Sequence, residues 1–173
     1  MNSNHLTDKI KTCINTRNVL FLFSAIAALA VTYSFVKTLY SSENSHHYSH
    51  IVLIPLITIY LLFIRRKTIF STVSFAFSAG IPVLLASIVL FACGLIWGPY
   101  LDSNNYASVI ALSLVVFING AFIFLYGVKA YKAALFPLLF LIFTVPIPTA
   151  LMDKTIFFLQ SGSAEFTNLL FLI

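Results

Sequence analysis

The chain alternates between long apolar runs and short polar segments. The first apolar run, from Val19 to Leu39, is long enough to cross a hydrocarbon core of roughly 30 Å at about 1.5 Å per residue. Four more runs predict further membrane helices, and they cover residues 51–64, 70–97, 106–128 and 133–145. The pattern predicts an all-α, polytopic bundle of five transmembrane helices over residues 19–173, after an N-terminal tail of residues 1–18.

A sixth segment, Thr155 to Ile173, combines a polar and an apolar side. Its apolar residues fall on one face of a helical wheel, and the other face carries a broad set of polar residues, namely Gln160, Ser161, Ser163, Glu165, Thr167 and Asn168. Two geometries fit this pattern, a helix that lies on the membrane surface or a span whose polar side lines a cavity. In the second geometry Glu165 would be a candidate functional residue.

The fifth run ends in the sequence V-P-I-P, where Pro146 and Pro148 remove two backbone donors. Each proline also disfavours the helical conformation of the residue before it. The freed carbonyl groups need partners from protein or from cavity water, because an unpaired group in lipid costs several kcal/mol. The two prolines therefore predict a helix break beside a polar crevice near the outer face.

The second run is too short to cross the membrane by itself. Since Arg65 marks its inner end, a helix of about 20 residues must reach back to about Ser45. This extension places His46, His47 and His50 at the outer edge of the membrane, where polar groups usually face the bundle or a water-filled cavity.

Three interpretations of these histidines are open. His46 and His50 are four residues apart and share a helix face, as zinc ligands can, but no carboxylate or cysteine is placed to complete the set. They could act at a functional site as hydrogen-bond donors or as a base. They could also be interfacial residues that cap the helix and contact lipid headgroups.

Composition agrees with a membrane protein, because 60% of the residues are hydrophobic and 9% are charged, against about 25% charged in soluble domains. The net charge of +5 does not indicate nucleic acid, since the basic residues form short clusters between apolar runs. With the N-terminus in the cytoplasm, the positive-inside rule is met by most of them: Lys9, Lys11, Arg17, Arg65, Arg66, Lys67, Lys129 and Lys132. Membrane lipids are the partners that this composition predicts.

Two other features have competing interpretations. The sequence A-L-A at 28–30 resembles a signal-peptide cleavage site, but the apolar run continues to Leu39, which favours a retained span. Cys93 could be a nucleophile, yet no base or basic residue stands near it in sequence, which favours a small buried hydrophobe. Cys13 and Cys93 are predicted at different depths, so no disulfide is expected. No metal site and no cofactor are predicted for the chain.

Two stretches resemble the exosortase/archaeosortase family of polytopic sorting enzymes. Ser49–Lys67, S-H-I-V-L-I-P-L-I-T-I-Y-L-L-F-I-R-R-K, is similar to the family's S-H-G-x-L-x-P-L-x-x-x-Y-L-L-x-x-R-R but has Ile51 in place of glycine. Phe136–Pro148, F-P-L-L-F-L-I-F-T-V-P-I-P, is similar to the family's F-P-L-x-F-L-x-F-x-V-P-x-P. The order and spacing of the two stretches carry the resemblance, which spans roughly residues 20–173.

The resemblance implies a cysteine peptidase with transpeptidase-like action in the bacterial inner membrane. Such enzymes cleave C-terminal sorting tails of exported proteins, which carry a Pro-Glu-Pro-type motif, an apolar helix and a basic end, in connection with surface polysaccharide. The family's nucleophile lies in an A-C-S-G motif, followed by an Arg and a His or Asn, and all of these follow the matched region. Cys93 lies in A-C-G-L and before the second stretch, so its role is not transferred.

The sequence is therefore interpreted as the N-terminal membrane part of an exosortase-like protein that stops before the nucleophile. No catalytic residue is expected in the chain. His50, His46 and Glu165 are candidate crevice residues, with the helix break at Pro146 and Pro148. The alternative is a non-catalytic membrane scaffold or a transporter-like component whose crevice binds a lipid or a peptide tail.

Overall fold

The structure is a computed structural model that describes residues 16–32, 49–71 and 73–172, with side chains from residue 53 onward in the second range. All regular elements in these ranges are helical, which confirms the all-α prediction for this part of the chain. The α-helices are α1 (Thr16–Thr32), α2 (Ser49–Ile64), α3 (Arg66–Ile69), α4 (Phe77–Trp97), α5 (Ser103–Ala133), α6 (Leu135–Phe140) and α7 (Thr149–Phe171). Two 3₁₀ helices cover Gly98–Tyr100 and Leu141–Thr144.

Two helical segments in the described ranges are long and apolar enough to cross a membrane, Phe77–Tyr100 and Ser103–Ala133. The pair Leu135–Thr144 and Thr149–Phe171 passes the same test jointly but is bent by 84°, and it adds a third span if it is counted as one. The apolar helices Thr16–Thr32 and Leu53–Ile64 are shorter. The count of five spans plus a sixth helix and the cytoplasmic N-terminus stay predictions.

Glycines allow α4 and α5 to pack closely against each other. A Cβ atom added at Gly80 would lie 2.7 Å from the Cα atom of Phe124, and one added at Gly120 would lie 3.1 Å from the backbone nitrogen of Leu84. Membrane helices commonly use small residues in this way, because dispersion contacts between backbones replace the hydrophobic driving force that is absent in lipid. The α4–α5 hairpin is therefore the centre of the bundle.

A break inside α5 occurs at Gly127, whose φ of 89° and ψ of 166° are outside the helical region. The extended residues 73–76 run past this break, and the backbone N–H groups of Ser74 and Ala76 donate to the carbonyl oxygens of Tyr126 and Phe124 at 3.2 and 3.3 Å. This explains why the third apolar run becomes helical at Phe77 and not at Phe70. The extended residues 73–76, which we call the strap, lie across the broken helix instead.

Tyr126 is the centre of the buried core beside this break. Its ring contacts Phe21, Phe70 and Phe122 with centroid distances of 5.7, 5.1 and 4.7 Å, and its hydroxyl donates to Oδ1 of Asn18 at 2.7 Å. The contacts with Phe21 and Asn18 fix the beginning of α1 at this end of the bundle, which we call the Gly127 end.

Basic residues gather at the Gly127 end. The guanidinium of Arg17 lies 4.0 Å from the centre of the Phe75 ring in the strap, while Lys129 and Lys132 follow the break directly. The cluster Arg65–Lys67 adjoins Ile69, a member of the same buried core as Tyr126. The fold thus brings Arg17, Arg65–Lys67, Lys129 and Lys132 to one end, and Lys9 and Lys11 lie outside the described residues.

From Ala134 the chain runs back along α5 toward its beginning. Leu138 and Leu141 are buried in the same core as Val115 and Phe122 of α5. The segment continues to Pro146, which meets the first turns of α5. The proline break therefore lies at the end where α4 and α5 are connected, and we call it the loop end.

Candidate functional site

The helix break stands where the two prolines predict it. Val145 donates its N–H to the carbonyl of Ile142 at 3.0 Å and then adopts an extended backbone with ψ of 122°. Pro148 is extended as well, with ψ of 142°, and α7 begins at the next residue. Pro146 is buried and Pro148 is exposed. The chain therefore leaves the helical conformation between Val145 and Pro148.

Two carbonyl groups within the break are bound by side chains of α5. Nδ2 of Asn104 donates to the carbonyl oxygen of Ile147 at 2.7 Å. The hydroxyl of Ser108 lies 2.8 Å from the carbonyl oxygen of Pro146 and 2.8 Å from that of Asn104, so its one proton is shared between them. The carbonyl groups of Pro146 and Ile147 thus have partners from the protein itself.

Thr149, the first residue of α7, is held by the same turn of α5. Its backbone N–H donates to Oδ1 of Asn105 at 2.9 Å, and its hydroxyl donates to Oδ2 of Asp102 at 2.5 Å. Pro148 stands at the N-cap position and makes no side-chain cap, so Asn105 supplies from another helix what an N-cap residue normally supplies. We call Asp102, Asn104, Asn105 and Ser108, with Pro146–Thr149, the polar clasp.

The carboxylate of Asp102 is the charged group of the polar clasp. It precedes α5 at the N-cap position with an extended backbone. It accepts from Nδ2 of Asn105 in α5 and from the hydroxyl of Thr149 in α7. The hydrogen bond from Thr149 is the main reason why the pKa of Asp102 lies below its ordinary value.

This shift predicts that acid loosens the polar clasp. A carboxyl whose pKa is lowered by folding stabilises the fold above its unfolded pKa of about 3.9, and that contribution is lost as the pH falls through the lower folded value. We expect the amide of Thr149 to exchange slowly with deuterium from neutral pH down to about pH 4, and faster, after correction for intrinsic rates, below it.

Asp102→Asn should show fast exchange at Thr149 already at neutral pH and lose the acid step, because asparagine has one acceptor oxygen for the two donors, Thr149 and Asn105, that the carboxylate binds. The exposed Asp153 on α7 offers a matched control, and Asp153→Asn should keep the wild-type profile. If the acid step survives in Asp102→Asn, a titratable group other than Asp102 causes it.

The other candidate residues are His46, His50 and Glu165. His46 lies outside the described residues. The backbone of His50 is in the first turn of α2, and its side chain is outside the described part. Glu165 is exposed on α7, about 24 Å along the helix from Thr149 at about 1.5 Å per residue. The roles assigned to these three residues stay predictions.

Cys93 is half-buried in α4, near the loop end. No group of three or more His, Cys, Asp or Glu that could hold a metal ion occurs among the residues with described positions. The described polar groups of the polar clasp are amides, hydroxyls and one carboxylate, and their hydrogen bonds join the beginning of α5 to the beginning of α7.

The sequence D-S-N-N at 102–105 has the composition of an ordinary turn. Its side chains proved to be partners of a segment more than forty residues away. The clue was available in principle: several amide and carboxylate groups stand directly before an apolar helix, and a P-x-P break elsewhere leaves carbonyl groups without donors.

Comparison with known proteins gives one match. No curated protein and no solved structure matches the chain. A family model described as transmembrane exosortase matches residues 42–172. The match takes in all of α2 to α7, including both halves of the polar clasp and the two stretches of sequence that resemble the family. The chain belongs to the transmembrane exosortase family.

Proposed function

We propose that this chain is the part of an exosortase that forms the recognition side of a site for C-terminal sorting tails in the bacterial inner membrane. The reaction is cysteine-dependent cleavage or transpeptidation of the tail of an exported protein, in connection with surface polysaccharide. The observation that carries the proposal is the polar clasp, which holds a sharply broken helix at one end of the bundle.

The position of the polar clasp supports an outer-face site. Basic residues gather at the Gly127 end, which the positive-inside rule assigns to the cytoplasm, and the polar clasp lies at the opposite end. A sorting tail has its Pro-Glu-Pro-type motif before its apolar helix and its basic residues after it. Such a tail lying along the bundle would place its motif at the loop end and its basic residues at the cytoplasmic surface.

The nucleophile of the proposed reaction lies outside residues 1–173. A cysteine becomes a nucleophile when a neighbouring base or positive charge stabilises its thiolate. Cys93 is half-buried in an apolar helix, within A-C-G-L, and its neighbours in sequence are apolar residues and glycine. In this proposal Cys93 packs the helix and takes no part in the chemistry.

The test uses a reporter protein with a Pro-Glu-Pro-type tail, expressed with the protein from its full gene, including any sequence that follows codon 173. We expect a downstream A-C-S-G motif, processing that is lost when its cysteine is replaced by alanine, and full processing with Cys93→Ala. Processing by residues 1–173 alone that Cys93→Ala abolishes would contradict the assignment of the nucleophile.

If the full gene encodes no such cysteine and its product does not process the reporter, the enzymatic proposal is contradicted. It would favour the alternative of a scaffold or a transporter-like component. The His50→Ala variant of a processing-competent protein then tests the weaker proposal for His50. Unchanged processing would remove His50 from the site.

A further inference from the structure

α7 is a long helix that packs against little of the described protein. It covers 23 residues, Thr149–Phe171, and none of them is buried. Its amphipathic sequence left two geometries open, a helix on the membrane surface or a span with a polar side. Three features of the structure distinguish between them: the direction of α7, the level at which it begins and the distribution of its charges.

The direction of α7 is across the bundle. The chain turns back at Gly127, because Ser108 and Pro146, which are equally far from it in sequence, are in contact at 2.8 Å. The segment that ends at Thr144 is therefore antiparallel to the first part of α5, which lies in a candidate membrane span. Between Leu135–Thr144 and α7 the chain bends by 84°. A helix at nearly a right angle to the spans lies parallel to the plane of the membrane.

The level at which α7 begins is the end of the bundle that carries exposed aromatic side chains. Thr149 is bound by Asp102 and Asn105 at the beginning of α5. Directly before them in sequence, Trp97 and Tyr100 have 62% and 88% of their surface exposed. Exposed tryptophan and tyrosine side chains are typical of the membrane–water interface. α7 therefore begins at the interface and not within the hydrocarbon core.

The charges of α7 are separated from its apolar side. Four exposed apolar residues fall within about 40° of one another on a helical wheel, and we call them the apolar stripe: Met152, Leu159, Phe166 and Leu170. About 100° or more away from this stripe stand all three charged residues of the helix, Asp153, Lys154 and Glu165. With 23 residues α7 is long enough to cross a membrane, but it does not pass as a span by itself.

We propose that α7 lies in the membrane–water interface at the loop end and that its apolar stripe contacts the lipid bilayer. In a span, Glu165 and the polar residues around it would enter the hydrocarbon, where charged groups are costly. In the interface, Glu165 stays in contact with water and the apolar stripe is buried about 5–10 Å deep. The polar clasp then joins a helix that crosses the membrane to one that lies on it.

The test is spin labelling of the protein from its full gene in phosphatidylcholine vesicles. All other cysteines are replaced, and single labels are placed on the apolar stripe with Met152→Cys, Leu159→Cys, Phe166→Cys and Leu170→Cys. The depth of each label follows from its relative accessibility to oxygen, which enters the bilayer, and to a nickel chelate, which stays in water. We expect one common depth of about 5–10 Å at all four positions, although they extend over about 27 Å of helix.

Lys154→Cys and Asn168→Cys are the matched controls on the opposite side of α7, and the nickel chelate should reach both labels freely. All six positions are exposed, so a cysteine at any of them removes no buried contact. A depth that changes along the apolar stripe and reaches about 15 Å, half of the hydrocarbon thickness, would mean that α7 spans the membrane.

Low accessibility of the apolar stripe to both reagents would mean that protein covers it, either a later part of the chain or a second copy. Either of these results overturns the proposal. The proposal holds for both orientations of the bundle and does not depend on the sorting reaction, so failure of one leaves the other standing.

Discussion

Replacing Gly127 with alanine should lower the free energy of unfolding by about 3 kcal/mol or more. The backbone at Gly127 lies in a region that is essentially restricted to glycine, and other residues cost about 1–3 kcal/mol there. A Cβ atom would also stand 2.5 Å from the carbonyl oxygen of Ser74. Relief of that contact must move the strap, whose N–H groups bind the carbonyls of Phe124 and Tyr126.

Thermal unfolding in detergent micelles measures this effect, and Gly162→Ala provides the control. A Cβ atom at Gly162 meets nothing within 4 Å, and alanine favours a helix over glycine by up to about 1 kcal/mol. We expect a midpoint lower by on the order of 10 °C for Gly127→Ala and an unchanged or slightly higher midpoint for Gly162→Ala. Equal midpoints for both variants would show that the break does not depend on glycine.

Replacing Ser108 with alanine should open the proline break without unfolding the bundle. The carbonyl oxygen of Pro146 would lose its partner, and a buried carbonyl without a hydrogen bond costs about 1–3 kcal/mol. The lost stability is local, because the core around Tyr126 lies at the other end of the bundle. We expect deuterium exchange at Leu151 and Met152, whose N–H groups bind the carbonyl of Pro148, to become about tenfold faster.

Ser113→Ala is the matched control for this prediction. Ser113 and Ser108 are buried on the same helix, with 3% and 4% of their surface exposed. The hydroxyl of Ser113 binds only a carbonyl within its own helix, that of Ile110, and the break loses no partner when it is removed. Exchange at Leu151 and Met152 should stay at the wild-type rate. Equal acceleration in both variants would mean that Ser108 stabilises α5 and not the break.

The sequence pattern predicts those features of the fold that depend on local chemistry. Proline cannot donate a backbone hydrogen bond, and the break at Pro146 and Pro148 follows from that fact alone. The length of an apolar run predicts that a helix exists, and α4 and α5 appear where two such runs stand. The family was also recognisable, because its two characteristic stretches keep their order and spacing.

Other features depend on contacts between distant parts of the chain. The third apolar run begins at Phe70, yet its first residues form the strap, since the break at Gly127 offers carbonyl groups to an extended segment. Nothing in the local sequence distinguishes this glycine from Gly120, which serves close helix packing. The polar clasp was missed for the same reason: Asn104 and Asn105 have turn-like neighbours, and their partners appear only once the fold is known.

The polar clasp also has a consequence for biosynthesis. The hydrogen bonds between its two halves join residues that are 38 to 47 positions apart. Ribosomes add about 5–20 residues per second, so the amides of α5 wait roughly 2–9 s for their partners. During this interval the translocation machinery or water must solvate Asn104 and Asn105. The α4–α5 hairpin therefore enters the membrane before its loop end is closed. The loop end closes once Thr149 has left the ribosome and can bind Asp102 and Asn105.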